Sequence, residues 1–316
     1  MAKRTFFLVN PQAAQGRSAH WWARMMEKLR ELNMDFIIEQ TSGPYSAPDQ
    51  VRAALAAGFR RIVAVGGDGM ANEALQGFLD ADGRPLYADA ELAFWPSGTG
   101  RDFSRTIYSD TSDEAFVELL LHGQVMQVDV GRLLYDDALG QRKSRYFLNS
   151  FDAGLGADTC YEVEKGFAKR LWGKLAFVFG ALHTLWHFRY QPLRLEFDDE
   201  VLEESFLMIF ANNGRFAGGG MLLTPTASLC DGCLDMLAVR KISKPKVLRF
   251  FSSVYSGKHI QLPECVYRKL KTLKISKTKL LVETDGELPG QTPVEVSVLP
   301  AALPLLLPQK PGLDKG

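Results

Sequence analysis

The chain has 316 residues, of which 46% are hydrophobic and 23% charged; this composition excludes a disordered polypeptide and leaves room for about two domains of roughly 150 residues each. Its 37 Lys and Arg balance 37 Asp and Glu, which removes the broad basic field of a non-specific nucleic-acid binder, so no nucleic acid is expected as a partner. Four cysteines are too few for a disulfide scaffold and fit a reduced, cytoplasmic setting.

The apolar run at the start, Phe6 to Val9, has no small-residue cleavage site behind it, so no secretory signal is expected. Residues 5–9 predict a strand and 10–18 a loop. Trp22, Met25, Met26, Leu29 and Leu32 recur at helical spacing within 19–32. Residues 34–39 predict a second strand, 49–58 a helix stopped by Gly58, and 61–65 a third strand. A helix over 71–79 and a fourth strand over 92–95 follow. This alternation predicts a parallel sheet covered by helices.

From residue 125 the texture changes. Met126, Val128 and Val130 alternate with Gln127 and Asp129, and short strand candidates recur at 146–151, 193–197, 206–211, 234–239, 280–283 and 294–299. Asp198-Asp199, Asn213-Gly214, Asp231-Gly232 and Asp285-Gly286 mark turns between them. The expected organisation is an α/β domain over 1–124 and a β-rich domain over 125–316. The second domain carries a helical insert at 157–187, and its last strands return toward the first. Residues 300–311 read as a segment broken by prolines. Within 171–188, Lys174, His183 and His187 interrupt the apolar pattern, and the clean run 175–182 falls short of the about 20 residues that a spanning helix needs. A half-buried or interfacial helix, and a soluble protein, are expected.

Chemistry concentrates at Val65-Gly66-Gly67-Asp68-Gly69-Met70-Ala71-Asn72-Glu73, where a strand runs through three glycines into a helix. Glycines let phosphate oxygens approach backbone N–H groups, and a helix start favours anions. Asp68 would hold Mg²⁺ or orient a hydroxyl beside those phosphates. The chain has no G-x-x-x-x-G-K-[ST] loop, and Asn72 stands where a dinucleotide fingerprint needs its third glycine. A second loop, Pro96 to Phe103, repeats glycines, a hydroxyl and a carboxylate after a strand. Two such loops on adjacent strands define a phosphate-sized cleft, of which the loop from Asn10-Pro11 to Gly16-Arg17 is a third candidate edge.

These pieces form an ordered series: Asn10-Pro11 with Gly16, the GGDG of 66–69, Gly98-Thr99 with Asp102-Phe103, and Phe147-Leu148-Asn149. Asn213-Gly214 follows, then 218–221, 225–235, Asp285-Gly286-Glu287 and 299–303. With that series the chain resembles the bacterial lipid kinases of the diacylglycerol kinase and sphingosine kinase family, most closely its YegS-like members. The resemblance implies an α/β N-terminal domain with a parallel sheet of the NAD kinase and diacylglycerol kinase type. It also implies a β-sandwich C-terminal domain and an ATP-binding cleft between the two. Thr41, Gly67, Asp68, Gly69, Met70, Ala71, Asn72, Glu73 and Thr99 fall on ATP-binding positions, with Asn10 at the cleft edge. Glu287 falls on the proton acceptor, and Asp68 joins it as a catalytic carboxylate. Ser228, Asp231 and Cys233 match a structural Mg²⁺ site, with Ca²⁺ as an alternative occupant; Asp231 would bind through its carboxylate and the others through backbone carbonyls. Two departures bear on nucleotide affinity: Met70 replaces the family's usual Thr, and Arg101 stands where Asn is common.

The implied activity is ATP- and Mg²⁺-dependent phosphorylation of a hydroxyl on a glycerol-based lipid, diacylglycerol- or phosphatidylglycerol-like, collected at the membrane surface by a cytoplasmic protein. A homodimer is compatible with this. A NAD kinase-like enzyme acting on a soluble substrate and a non-catalytic nucleotide- or lipid-binding regulator are the rival readings. Cys230-x-x-Cys233 lacks the second pair that zinc would want, and His183-x-x-x-His187 lacks a metalloprotease's Glu. Both read as incidental.

Overall fold

The first apolar run folds as strand β1 (Thr5–Val9), every residue of which is buried. A computed structural model of the protein describes residues 3–11, 17–97, 101–137, 139–165 and 174–309. Helix α1 (Arg17–Glu31), β2 (Phe36–Gln40), α2 (Ala47–Ala56), β3 (Arg61–Gly66), α3 (Asp68–Phe78) and β4 (Glu91–Pro96) follow in alternation, and then α4 (Asp102–Ile107) and α5 (Asp113–His122). The chain divides into two units: residues up to Val128 together with those from Ala301 on, and Asp129–Pro300.

In the first unit β3 pairs in parallel with β1 and β4, and β1 with β2. The last strand of the chain, a 21-residue β-strand (Glu287–Leu307), adds its end in parallel to the free side of β4, Leu305 opposite Leu92. Central β3 and β4 are buried almost end to end, whereas edge strand β2 leaves Ile37, Glu39 and Gln40 exposed. A parallel strand covered on both faces needs continuous apolar sequence, and an edge strand does not. α2 starts with Pro48 in its first turn, and Gly58 (φ +92) follows its end. Ser112 caps α5, its hydroxyl accepting the Ala115 N–H. Buried Glu91 joins Lys3 and Arg61 (2.5 Å) where β3 and β4 begin.

The second unit comprises β5 (Gln124–Asp136) from Asp129 on, β6 (Arg142–Phe147), β7 (Ser150–Gly154), α6 (Leu155–Glu164), α7 (Lys174–His187), β8 (Pro192–Phe197), β9 (Glu200–Asn212) and β10 (Leu234–Arg240). α8 (Lys244–Phe250), β11 (Cys265–Leu270), β12 (Thr272–Ser276), β13 (Leu281–Thr284) and the first part of the long strand, β14, complete it. β9 pairs with β8 through its first half and with β7 and β10 through its second. β12 bridges β8 and β14, while β13 bridges β7 and β14. Leu193, Leu195 and Phe197 of β8, Leu273 and Ile275 of β12, and Val294, Val296 and Val298 of β14 send alternate residues into one core, the period-two burial of sandwich strands.

Two expectations are corrected. The strand expected at 146–151 is two strands, broken at Leu148-Asn149 where backbone N–H groups turn to a side chain described below. The proline-broken segment at 300–311 is strand through Leu307. Its prolines fall outside the ladder registers with β13, β12 and β4, so they interrupt no pairing there that needs their missing N–H. The sequence reading left out α4, α5, α8, β11 and β12.

Helices α2 and α3 touch at Gly77, where a Cβ would lie 2.4 Å from the Pro48 carbonyl oxygen. Gly77→Ala should therefore force backbone apart and cost about 1–3 kcal/mol, as overpacked sites do. Gly43→Ala, whose Cβ would meet nothing within 4 Å, should melt like the parent. Thermal unfolding followed by circular dichroism separates the two; equal melting of both variants would refute the close contact.

Candidate active site

In the first unit the loops leaving adjacent parallel strands are hydrogen-bonded to one another. After β1, the Asn10 N–H donates to the Val65 carbonyl of β3 (3.0 Å), and after β2, the Thr41 N–H donates to the Val9 carbonyl of β1 (3.0 Å). After β4, the Ser97 N–H reaches the Gly66 carbonyl (2.9 Å), and the Asp102 N–H at the start of α4 donates to Asp68 Oδ2 (2.9 Å). The chain runs from β1 outward to β2 and then crosses to β3 on the other side of β1. The loops after β1 and β3 thus diverge at a topological switch point, the place where open α/β sheets bind ligands. Asn10 and the Gly66–Gly69 loop flank it.

Gly67 is the extended residue before α3, and no side chain caps that helix start. A Cβ at Gly67 or Gly69 would meet nothing within 4 Å, whereas one at Gly66 would lie 2.6 Å from Met70 Cβ. Gly66 is therefore glycine because Met70 closes over it. Met70, Ala71 and Asn72 are buried, and the Asn72 carboxamide oxygen accepts from Gln76 Nε2 (3.3 Å). Asn10, Thr41, Gly67, Asp68, Gly69 and Glu73 keep partial exposure. This unit brings together, at one sheet end, glycine backbone, a helix N-terminus and the Asp68 carboxylate. Thr99 lies outside the described residues, as do Gly16 and Gly98.

Glu287 opens β14 in the second unit, paired with Thr284 across a two-residue turn. Asp285 (φ +49) and Gly286 (φ +93) both have positive φ, the hairpin geometry that selects Asp-Gly. The buried Asp285 carboxylate accepts three consecutive backbone N–H groups, from Leu148 (2.7 Å), Asn149 (3.0 Å) and Ser150 (2.8 Å). Asn213 Nδ2 donates to the carbonyls of Asp129 (2.8 Å) and Leu148 (2.9 Å), and Asn149 Nδ2 to that of Phe216 (2.8 Å). The Asn and Asp residues of these motifs thus fix the turn that presents Glu287.

A second layer of acids lies beside the turn, and sequence reasoning missed it. Glu283 accepts the Gly286 N–H and stands directly opposite buried Asp152 on β7. Asp152 packs over Gly156 in the first turn of α6, where a Cβ would lie 1.7 Å from its Oδ2. Burial, then the charges of Glu283 and Asp158, raise the Asp152 pKa well above the usual carboxylate value. Burial and Glu162 raise Asp158 to about 6. A lone Asp within a strand carries no spacing signal that would have revealed this layer.

The three residues matched to a metal lie in one loop of the same unit. Ser228 Oγ accepts the Cys230 N–H (3.4 Å), and Asp231 Oδ1 accepts the Cys233 N–H (3.1 Å). Asp231 Oδ2 accepts from Lys269 Nζ (2.5 Å), which also reaches Asp235 (3.1 Å). Among the described residues no cluster of three or more His, Cys, Asp or Glu is arranged to hold a metal, and Cys230 and Cys233 are free thiols. No helix among the described residues is long and apolar enough to cross a membrane.

Residues 4–133 match the family described as the diacylglycerol kinase catalytic domain, and residues 150–307 the one described as the YegS C-terminal NAD kinase beta sandwich-like domain. A diacylglycerol kinase of Mycobacterium tuberculosis (strain ATCC 25618 / H37Rv) is 27% identical over 305 residues, covering 96% of this chain and 94% of its own. The crystal structure of a diacylglycerol kinase from Bacillus anthracis strain Sterne superposes with a TM-score of 0.71 at 22% identity, over 96% of this chain and 97% of that one. Yeast NADH kinase complexed with NADH superposes with a TM-score of 0.55 at 10% identity, over 100% of this chain and 86% of that one. At such identities the two structures speak for fold. The expected fold class, an α/β domain followed by a β-sandwich, is borne out.

The raised acids set a pH dependence of stability. In the folded protein Asp152 and Asp158 hold protons that an open chain would release near pH 3.8. Stability therefore falls as pH rises through that window, which for Asp158 ends at about 6. Denaturant midpoints taken from about pH 4 to pH 8 should show this decline. Asp158→Asn should flatten its lower part, and Asp152→Asn should stabilise the protein at neutral pH. A parallel, undisplaced profile for both variants would remove these acids as its cause.

Proposed function

We infer, from the premise that the chain belongs to the diacylglycerol kinase family, that it transfers the γ-phosphate of ATP to a hydroxyl of a glycerol-based lipid. It is a phosphotransferase with an alcohol acceptor. The observation that carries the ATP-dependent reading is the tied row of loops at the β1/β3 switch point, where Gly67 and Gly69 expose backbone at the uncapped start of α3. Backbone N–H groups and the positive end of a helix suit phosphate oxygens.

Asp68, with Asp102 joined to it through the 2.9 Å hydrogen bond, offers the oxygen ligands that a hard divalent cation takes. When bound, Mg²⁺ neutralises charge on the phosphates. Glu287 accepts the proton of the lipid hydroxyl as that oxygen attacks the γ-phosphorus; the bond to the bridging oxygen breaks and ADP leaves. Asp285, its carboxylate engaged by three backbone N–H groups, holds the Glu287 turn. The acceptor is a diacylglycerol- or phosphatidylglycerol-like lipid, which a cytoplasmic enzyme collects at a membrane surface. At Ser228, Asp231 and Cys233 a structural Mg²⁺ would compete with the Lys269 ammonium for Asp231.

Radiolabelled ATP supplied over a panel of lipids in mixed micelles, with NAD alongside, tests the reading. Lipid should be labelled and NAD should not. Glu287→Gln should lower turnover by about 10² or more while leaving ATP binding near that of the parent, and Asp68→Asn should lower turnover on a similar scale. Normal turnover in folded Glu287→Gln would move the base elsewhere. In the absence of nucleotide, Mg²⁺ should raise the melting temperature of the parent by mass action, less so in Asp231→Ala and more so in Lys269→Met. An equal Mg²⁺ shift in all three would dismiss the structural site.

A further inference from the structure

Between Asp235 and Glu264 the chain has six Lys and Arg residues and no acid, although its overall charges balance. This stretch folds as the end of β10, α8 and two short 3-10 turns, Phe251–Tyr255 and Lys258–Gln261. Two of its cations are neutralised: Arg240 pairs with Glu204 (2.8 Å) and Lys246 with Glu264. Lys241, Lys244, Arg249 and Lys258 make no ion pair among the described residues.

The inner side of the stretch is anchored. Val247 and Ile242 pack with Leu185 of α7, and Val254 and Ile260 pack on the Phe210 and Leu237 cluster. The outer side is apolar and aromatic as well as basic. Trp186, at the end of α7, is 68% exposed, with Leu248 at 49% and Tyr255 at 46%. Lys244 ties the two helices together: its Nζ donates to the Trp186 carbonyl and lies 5.4 Å from the indole centroid. Lys241 sits 5.8 Å from the ring of Tyr190, whose hydroxyl donates to the Ile242 carbonyl (2.6 Å). No residue of α8 or of Phe251–Tyr255 is fully buried.

We propose that this face, formed by the end of α7, α8 and the turn after it, docks on the surface of an anionic phospholipid bilayer. The chemistry is complementary on both counts. Unpaired Lys and Arg meet anionic headgroups, and an exposed Trp and Tyr seat amphipathic rings at headgroup depth. An exposed indole flanked by cations without ion pairs is well suited to that boundary, where the ring leaves water and the cations meet anionic headgroups. The proposal deepens the function inferred above, since a kinase of lipid hydroxyls has to reach a substrate held in a bilayer. Vesicle binding needs no turnover, so the two readings stand or fall separately.

The test is sedimentation of the full chain with phosphatidylcholine vesicles, with and without phosphatidylglycerol, at low and high salt. The parent should bind the anionic vesicles and release them as salt screens the contact. The Lys241→Glu, Arg249→Glu double variant should bind them at least about tenfold more weakly, since each cation near such a surface contributes about fivefold. Trp186→Ala should weaken binding at both salt concentrations. A control pair, Arg142→Glu with Lys143→Glu on the β6 strand, changes net charge equally and should bind like the parent. Circular dichroism confirms that each variant is folded, and lipid phosphorylation in detergent micelles should be unchanged in the double variant. Failure of the parent to bind anionic vesicles would overturn the proposal. So would parent-like binding by the double variant, or equal loss in the control pair. Capture of an acidic protein without vesicle binding would give the face to a protein partner and overturn it too. Vesicle binding by a protein that phosphorylates no lipid would leave this face standing and remove the kinase reading alone.

Discussion

Three consecutive backbone N–H groups, those of Leu148, Asn149 and Ser150, converge on the carboxylate of Asp285. Hydrogen bonds to a charged acceptor contribute about 1.5–3 kcal/mol each, and here they also decide geometry. They end β6 and begin β7, because N–H groups given to a side chain cannot continue a ladder. They hold Asp285 in a left-handed conformation that an ordinary residue adopts only at a cost. Asn213 and Asn149 tie down the neighbouring carbonyls. The position of Glu287, two residues along, follows from this knot.

The first unit reaches a comparable result with backbone instead of a carboxylate. Its loops are bonded sideways across the sheet end, so the glycine loop at the start of α3 is held by its neighbours on both sides. Asp68 takes part by accepting from the loop after β4, which places a carboxylate between two strand ends. The methionine at position 70, which on sequence grounds looked like a lost hydroxyl, packs inward over Gly66. Its substitution changes the underside of the loop.

Legibility followed the locality of the signal. β1, β3, β4, β8 and β10 were readable because a continuous or alternating apolar run is a property of five to seven neighbouring residues. α5 lies outside the elements expected from sequence, although Ser112 caps it and Phe116, Leu119 and Leu120 face inward, so its signal is a local one too. β11 interrupts its apolar residues with Arg268 and Lys269, and β12 is only five residues long with Leu273 and Ile275 facing inward, so pairing with β10, β8 and β14 is what makes them strands. Asp68 and Glu287 could be singled out from glycine motifs and resemblance. Asp152 and Glu283 could not, since their relation exists only across a strand register. Residues 98–100 lie outside the described structure, so Thr99 stays an expectation.

The 21-residue strand β14 has a consequence for biosynthesis. It begins in the second unit with Glu287 and ends in the first with Leu305 beside Leu92 of β4. Translation proceeds from the amino terminus, so β4 emerges from the ribosome roughly two hundred residues before the strand that covers its edge. During that interval a wholly buried strand, apolar after its first residue, Glu91–Pro96, presents an unpaired edge, the kind of template on which chains associate wrongly. The nascent first unit thus waits, one strand short, for synthesis to pass through the whole of the second.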